Sequence, residues 1–182
     1  RPYLYKMVTQ LSVDGKLTDQ YETPVGLRTF KFDVQKGFFL NGKHLKINGV
    51  CDHHDLGALG AAVNKRALER QLQLLKDMGC NAIRTSHNPP APELLQLTDS
   101  MGFIVMDEIF DMWVKKKSAY DYALDFPKWY KTDMTDWLKR DRNHPSVFIW
   151  SIGNEVMEQW EDISADNMSL EEANTLLNNM KV

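Results

Sequence analysis

The sequence predicts an α/β fold: a parallel sheet covered by helices, entered through a short antiparallel β segment. Three observations carry that prediction. Residues 46–152 alternate short apolar runs of strand character with longer amphipathic stretches of helical period. One helix-to-strand junction is used twice, at Met78-Gly79 and at Met101-Gly102. Residues 1–33 follow a different grammar, with side chains of one kind at period two.

The elements follow in order. Tyr3, Tyr5, Met7, Thr9 and Leu11 share one face of an extended run, and Asp14-Gly15 is a hairpin turn signal. Further extended runs cover 16–22 and 27–32. Two or three strands do not make a stable sheet alone. Residues 1–33 therefore read as the terminal strands of a β-sandwich, and 34–182 as the α/β part, after a turn-rich join at 37–45. The first parallel strand is expected at 46–50. Asn64 is an N-cap for a helix to Met78, with Leu68, Leu72 and Leu75 on one stripe and Gly79 closing it. Strands are expected at 81–84, 103–106 and 147–152. Helices fill 90–101, closed by Gly102, and 125–142, with Tyr130, Met134, Trp137 and Leu138 inward and Pro145 as the stop. A fourth helix is expected at 169–180. Four short apolar strands alternating with helices argue for a parallel sheet covered on both faces. A doubly wound sheet and a (β/α)8 barrel both fit. No Gly-rich phosphate loop follows the first strand, which weighs against a nucleotide-binding unit.

Composition narrows the function classes. With 43% hydrophobic residues among 182, the chain can bury a core, and disorder is not indicated. The formal charge of −3 brings no basic stripe, so nucleic acid is not an expected partner. No apolar run approaches the roughly 20 residues of a membrane span. Cys51 and Cys80 have no metal-type spacing and imply no disulfide framework. Location is left open, as is self-association into a homo-oligomer.

Polar residues gather at one place in each unit, the C-terminal end of the strand. They are Asp52-His53-His54-Asp55, then Arg84 to Asn88, then Asp107-Glu108, then Asn154-Glu155. Barrel active sites are built on that face. Arg84 has a structural reading as an ion pair with Asp107 or Glu108, and Asp107 as a rim brace. Trp113 is a sugar-contacting aromatic or a core residue, and Lys115-Lys116-Lys117 reads as a solvated loop.

Two longer stretches add a resemblance. Residues 81–89, Asn-Ala-Ile-Arg-Thr-Ser-His-Asn-Pro, followed by Asp99, Gly102, Val105 and Glu108, resemble the first signature of glycoside hydrolase family 2. Residues 141–155, from Asp141-Arg142-Asn143-His144-Pro145 to Gly153-Asn154-Glu155, resemble the second. Residues 21–29 resemble the last strand of the immunoglobulin-like domain that precedes the barrel in that family. The resemblance implies the first half of a (β/α)8 barrel, strands one to four, and a retaining exo-β-glycosidase of β-galactosidase type. It implies Glu155 as general acid/base and Asn154 as the residue bonding the sugar 2-hydroxyl. His87, His53 and Arg84 fall on substrate-site positions, and Trp113 joins them as a binding candidate. The nucleophile, a Glu on strand seven, is expected beyond residue 182, so the chain alone is expected to be inactive. β-Glucuronidase and β-mannosidase remain alternatives. Some β-galactosidases hold magnesium just after strand three; the matching positions here are Met112 and Val114, so no metal or other cofactor is expected.

The chemistry agrees with those roles. One carboxylic acid protonates the leaving oxygen while a second carboxylate attacks the anomeric carbon. The acid must hold its proton near neutral pH, so its surroundings must favour the neutral form. A metal-dependent amidohydrolase barrel would need His-x-His on the first strand. His53 and His54 are adjacent and point to opposite faces. A non-catalytic carbohydrate-binding fragment is the other rival.

Overall fold

The computed structural model describes residues 2–159. The helix expected at 169–180 lies outside the described residues. β1 (Tyr5–Val13) and β2 (Lys16–Val25) form an antiparallel hairpin. Asp14 and Gly15 join them, both at positive φ (52° and 75°), as a tight primed turn requires. β3 (Phe30–Asp33), β4 (Gly37–Leu40) and β5 (Lys43–His44) make a second small antiparallel sheet. The residue 33/34 junction falls in its first turn, where Asp33 Oδ1 accepts the N–H groups of Gln35 and Lys36. Phe38 of β4 is buried against Ala82, Ile104 and Phe148, so this sheet plugs one end of the parallel sheet.

The parallel sheet contains β6 (Gly49–His53), β7 (Ala82–Ser86), β8 (Ile104–Glu108) and β9 (Val147–Ser151), side by side in chain order. Between them run α1 (Lys65–Asp77), α2 (Pro92–Met101) and α3 (Phe126–Asp141). β6 starts three residues after the expected 46, and the cause is Asn81. Its Oδ1 accepts the Asn48 N–H and its Nδ2 donates to the Lys46 carbonyl, both at 2.9 Å. A side chain thus satisfies the segment a strand ladder was expected to fill. β7 and β8 run two residues further than expected, so Ser86, Asp107 and Glu108 stand on the strands themselves.

The helices form for the reasons expected. Asn64 Oδ1 accepts the Ala67 N–H at 3.0 Å, the N-cap bond. Leu68, Leu72 and Leu75 pack on Ile83, Leu94, Leu97 and Phe103. Gly102 closes α2 at φ 82°, the left-handed C-cap. On α3, Met134 and Trp137 are buried in a core with Ile109, Phe110, Trp113, Phe126 and Val156.

The two signature stretches meet in space and supply much of the frame. Asp99 on α2 bonds the His144 ring (2.6 Å) and the Ser146 N–H (2.9 Å) just before β9. Thr98 and Ser146 share a buried hydroxyl contact at 3.0 Å. Arg28, upstream of β3, donates Nε to the Pro145 carbonyl at 2.6 Å and NH2 to the Val147 carbonyl, fastening the N-terminal segment to the start of β9.

Candidate active site

The C-terminal ends of β7, β8 and β9 hold one connected polar network. At its centre is Glu108, fully buried. Its carboxylate takes Arg84 Nε at 2.9 Å and Arg84 NH2 at 3.0 Å, a fork that matches a carboxylate. It also contacts His87 Nδ1 at 2.7 Å and accepts the Ser151 hydroxyl at 2.5 Å. Ionised Glu108 can only accept, so the His87 proton sits on Nδ1 and Nε2 is left for other partners. Burial pulls the Arg84 guanidinium down, but its bonds to Glu108 outweigh that and hold it above its ordinary range. The ion-pair reading of Arg84 is therefore right, with Glu108 as the partner.

Arg84 reaches further, donating NH2 to Asn154 Oδ1 at 2.7 Å. The other end of the Asn154 amide donates Nδ2 to Asp111 Oδ1 at 2.9 Å. A donor on one side and an acceptor on the other fix the amide's orientation. Asp111 also accepts Lys117 Nζ at 2.8 Å. Burial pushes the Asp111 carboxyl up, yet the Lys117 and Asn154 hydrogen bonds prevail and hold it below the usual carboxylate range.

Glu155 follows, on a turn held through several of its backbone groups. The Ser151 carbonyl accepts from Ile109 N–H (3.1 Å), and Asn154 N–H donates to the Phe110 carbonyl (2.9 Å). The Ile152 carbonyl accepts from the Trp113 indole N–H at 2.8 Å, and the Asn154 carbonyl from Lys117 Nζ at 2.8 Å. The stretch 109–117 therefore works as a template for 151–155. Held this way, Glu155 adopts φ 44°, a left-handed conformation that costs a non-glycine residue about 1–2 kcal/mol. Such strain is stored where surroundings over-determine it, and active sites are where it gathers. The turn leaves the Glu155 side chain 78% exposed at the rim, its Oε2 3.7 Å from Lys117 Nζ. The low-polarity surroundings expected for it are not supplied by the described residues.

The structure thus brings Arg84, His87, Asn154 and Glu155 together. The His53 ring meets the His87 ring edge-on with centroids 5.0 Å apart, at the border of the network. Trp113 is a correction. It is 6% exposed, with Phe126 stacked beside it, and its one polar atom is spent on the Ile152 carbonyl. It shapes the turn from the core and offers no face to a sugar. Lys117 is the second correction: the residue read as part of a solvated run is a member of the network. Asp111 was passed over as well. Nothing in a run of three lysines marks the third, and its partners Asp111 and Asn154 lie 6 and 37 residues away.

Asp107, read as a rim brace, faces α3 instead. It is fully buried, with a 3.4 Å contact from the Thr85 hydroxyl. Burial first, then the neighbouring Asp141, pushes its carboxyl up to about 7. A cleft of about 440 Å³ between the 54–63 loop and the start of α2 is lined by Asp52, His53, Leu68 and Pro90. Its Asp52 is pushed up to about 6 by burial and bonds Gln71 at 2.9 Å, on the α1 side of the sheet. Among the described residues no three His, Cys, Asp or Glu side chains gather as metal ligands. Met112 is buried and Val114 exposed, and neither offers a hard oxygen or nitrogen donor.

Comparison with known proteins follows the same lines. Residues 32–173 match the family model described as glycosyl hydrolases family 2, TIM barrel domain. The β-galactosidase BoGH2A of Bacteroides ovatus is 67% identical over 177 residues, 97% of this chain and 21% of that protein. A putative β-glucuronidase of Formosa agariphila is 47% identical over 156 residues, 85% of this chain and 15% of that protein. Among solved structures, a β-glycosidase from Bacteroides vulgatus superposes with TM-score 0.85 at 48% identity, covering 98% of this chain and 22% of its own. A family 2 member from Bacteroides cellulosilyticus gives 0.88 at 44% identity, covering 99% and 23%. The chain thus spans about a fifth of the length of these relatives. Motifs, sheet, polar rim and family model agree, and the chain belongs to glycosyl hydrolase family 2, carrying sequence of its TIM barrel domain.

Proposed function

We propose that the protein containing this chain hydrolyses terminal β-galactosides with retention of configuration, with Glu155 as general acid/base. One observation carries the role of Glu155. It stands exposed at the rim on a strained turn, next to an asparagine whose amide is pinned from both sides. Glu155 protonates the departing glycosidic oxygen and then takes a proton from the water that completes the reaction. Asn154 keeps a second amide hydrogen and a second lone pair for the sugar 2-hydroxyl. His87 Nε2 and His53 line the same rim. The attacking carboxylate comes from another part of the parent protein. Glu108 cannot serve, being fully buried under Arg84, His87 and Ser151. In this reading β6 to β9 are strands one to four of a (β/α)8 barrel, and β1 and β2 close an immunoglobulin-like sandwich.

The choice of galactose rests on 67% identity to a β-galactosidase, against 47% and below for the β-glucuronidase relatives. β-Glucuronidase is the second reading, favoured by those more distant relatives. Paired assays of the full-length protein on aryl β-galactoside and aryl β-glucuronide separate the two; faster turnover of the glucuronide reverses the choice. The acid/base role has its own test. Glu155→Gln should lose 10²–10⁴-fold, the order usual for general acid catalysis, on alkyl glycosides. It should lose far less on aryl glycosides with good leaving groups, and azide should restore turnover with a β-glycosyl azide as product. Equal loss on both classes without rescue overturns the assignment.

A further inference from the structure

We infer that Lys117 is a positioning residue for Glu155, a cation built into the chain that keeps the acid/base aimed at the leaving oxygen. This rests on the acid/base reading of Glu155 above.

The geometry is that of a ligated cation. Lys117 Nζ lies 2.8 Å from Asp111 Oδ1, 2.8 Å from the Asn154 carbonyl oxygen and 3.7 Å from Glu155 Oε2. An ammonium has three protons. Two are committed to the first two oxygens, and the third is available to Glu155. The side chain is 21% exposed, so its charge is less screened than that of a surface lysine. Its own backbone is fixed, because Asp121 Oδ2 accepts the N–H groups of Lys117 (2.6 Å) and Ser118 (2.8 Å). Asp111, held by Lys117, also takes the Asn154 amide. One ammonium therefore holds Asn154 at its carbonyl and, through Asp111, at its amide, and stands beside Glu155.

The surrounding charges leave this role to Lys117. Arg84 is spent on Glu108 and on Asn154, and Glu108 also holds His87. Asp121 is turned to the backbone. Glu158 accepts the N–H groups of Val114 and Lys115 at 2.8 and 2.7 Å. Among the described residues Lys117 is the cation bridged to Glu155. When Glu155 gives its proton to the leaving oxygen, the carbon–oxygen bond breaks and a carboxylate remains at the rim. The ammonium stabilises that carboxylate and keeps it aimed for the proton it later takes from water. A positive charge beside a carboxyl favours its ionised form. Without the ammonium the carboxylate left after proton transfer loses its partner, and its aim is lost.

The test uses the full-length parent protein and its Lys117→Met, Lys117→Gln, Lys117→Arg and Glu155→Gln variants. Both kcat and KM are measured on methyl β-galactoside, whose leaving group needs a proton, and on 4-nitrophenyl β-galactoside, whose leaving group does not. Lys117→Met should lose at least tenfold more on the methyl than on the nitrophenyl substrate. Lys117→Arg, which keeps the cation, should recover most of the activity lost on the methyl substrate. Lys117→Gln, which keeps a hydrogen-bond donor without charge, should behave like Lys117→Met and replaces it if that variant does not fold. Equal losses on both substrates, or no recovery in Lys117→Arg, overturn the inference while leaving Glu155 as acid/base. A wild-type protein that cleaves neither substrate, or a Glu155→Gln variant indifferent to the leaving group, overturns the functional reading and this inference with it.

Discussion

Asn154 has both ends of its amide tied inside the protein, to Arg84 and to Asp111, and is 8% exposed. A residue fixed so firmly can present its remaining amide hydrogen in one direction only, which suits a hydroxyl whose hydrogen bond strengthens in the transition state. Asn154→Ala in the full-length protein should therefore cost several kcal/mol of transition-state stabilisation, on the order of 10²-fold or more in kcat/KM. A 2-deoxy glycoside should lose much less. A penalty independent of the 2-hydroxyl would leave Asn154 as a brace between Arg84 and Asp111. At this scale the sequence was informative where site residues lie side by side. Arg84 and His87 share one stretch and Asn154 and Glu155 another, and strand ends put both on the rim. It was silent on Lys117, whose partners become neighbours only when 109–117 folds over 151–155. It misled on Trp113, because an indole near a polar strand end looks the same whether its ring faces a sugar or packs on Phe126.

The turn after β9 shows what the elements contribute. Gly153 sits where a Cβ would come within 2.5 Å of Val156 Cγ2 and 3.0 Å of Trp113 Nε1. Val156 is 4% exposed and β-branched, so it cannot swing aside cheaply. Gly153→Ala should destabilise the fold by about 1–3 kcal/mol, the usual range for overpacking. It should also lower kcat more than it raises KM, because the displaced turn carries Glu155. Thermal unfolding and steady-state kinetics on the same sample check both; an unchanged melting temperature and kcat would show that the turn adapts. Helices and strands were legible to within a few residues because their signals are local: Asn64 as cap, the Leu68-Leu72-Leu75 stripe, Gly102 as stop. β6 was displaced because Asn81, more than 30 residues away, replaces ladder bonds at Lys46 and Asn48. No periodicity contains that information.

Over the whole molecule the buried Asp107 couples stability to pH. Burial first, and then the neighbouring Asp141, push its carboxyl well above the ordinary 3.8, up to about 7. Between those values the folded state holds a proton that the unfolded chain has released, so stability falls as pH rises through this window and levels off above it. Asp107→Asn removes the titration. The melting temperature of the variant should gain on wild type between pH 5 and pH 8, and parallel melting curves across that span would show that Asp107 does not titrate there. The parallel sheet and its polar rim were readable from alternation. The partition at residue 33/34 was drawn where the pattern changes, while β3 on one side pairs with β4 on the other and Arg28 bonds the Val147 carbonyl of β9. That last contact governs timing. Arg28 leaves the ribosome 119 residues ahead of Val147. At 5–20 residues per second the wait is about 6–24 s. During synthesis the Arg28 guanidinium emerges with no strand yet to receive it, so the segment that carries it stays unfastened until β9 is made.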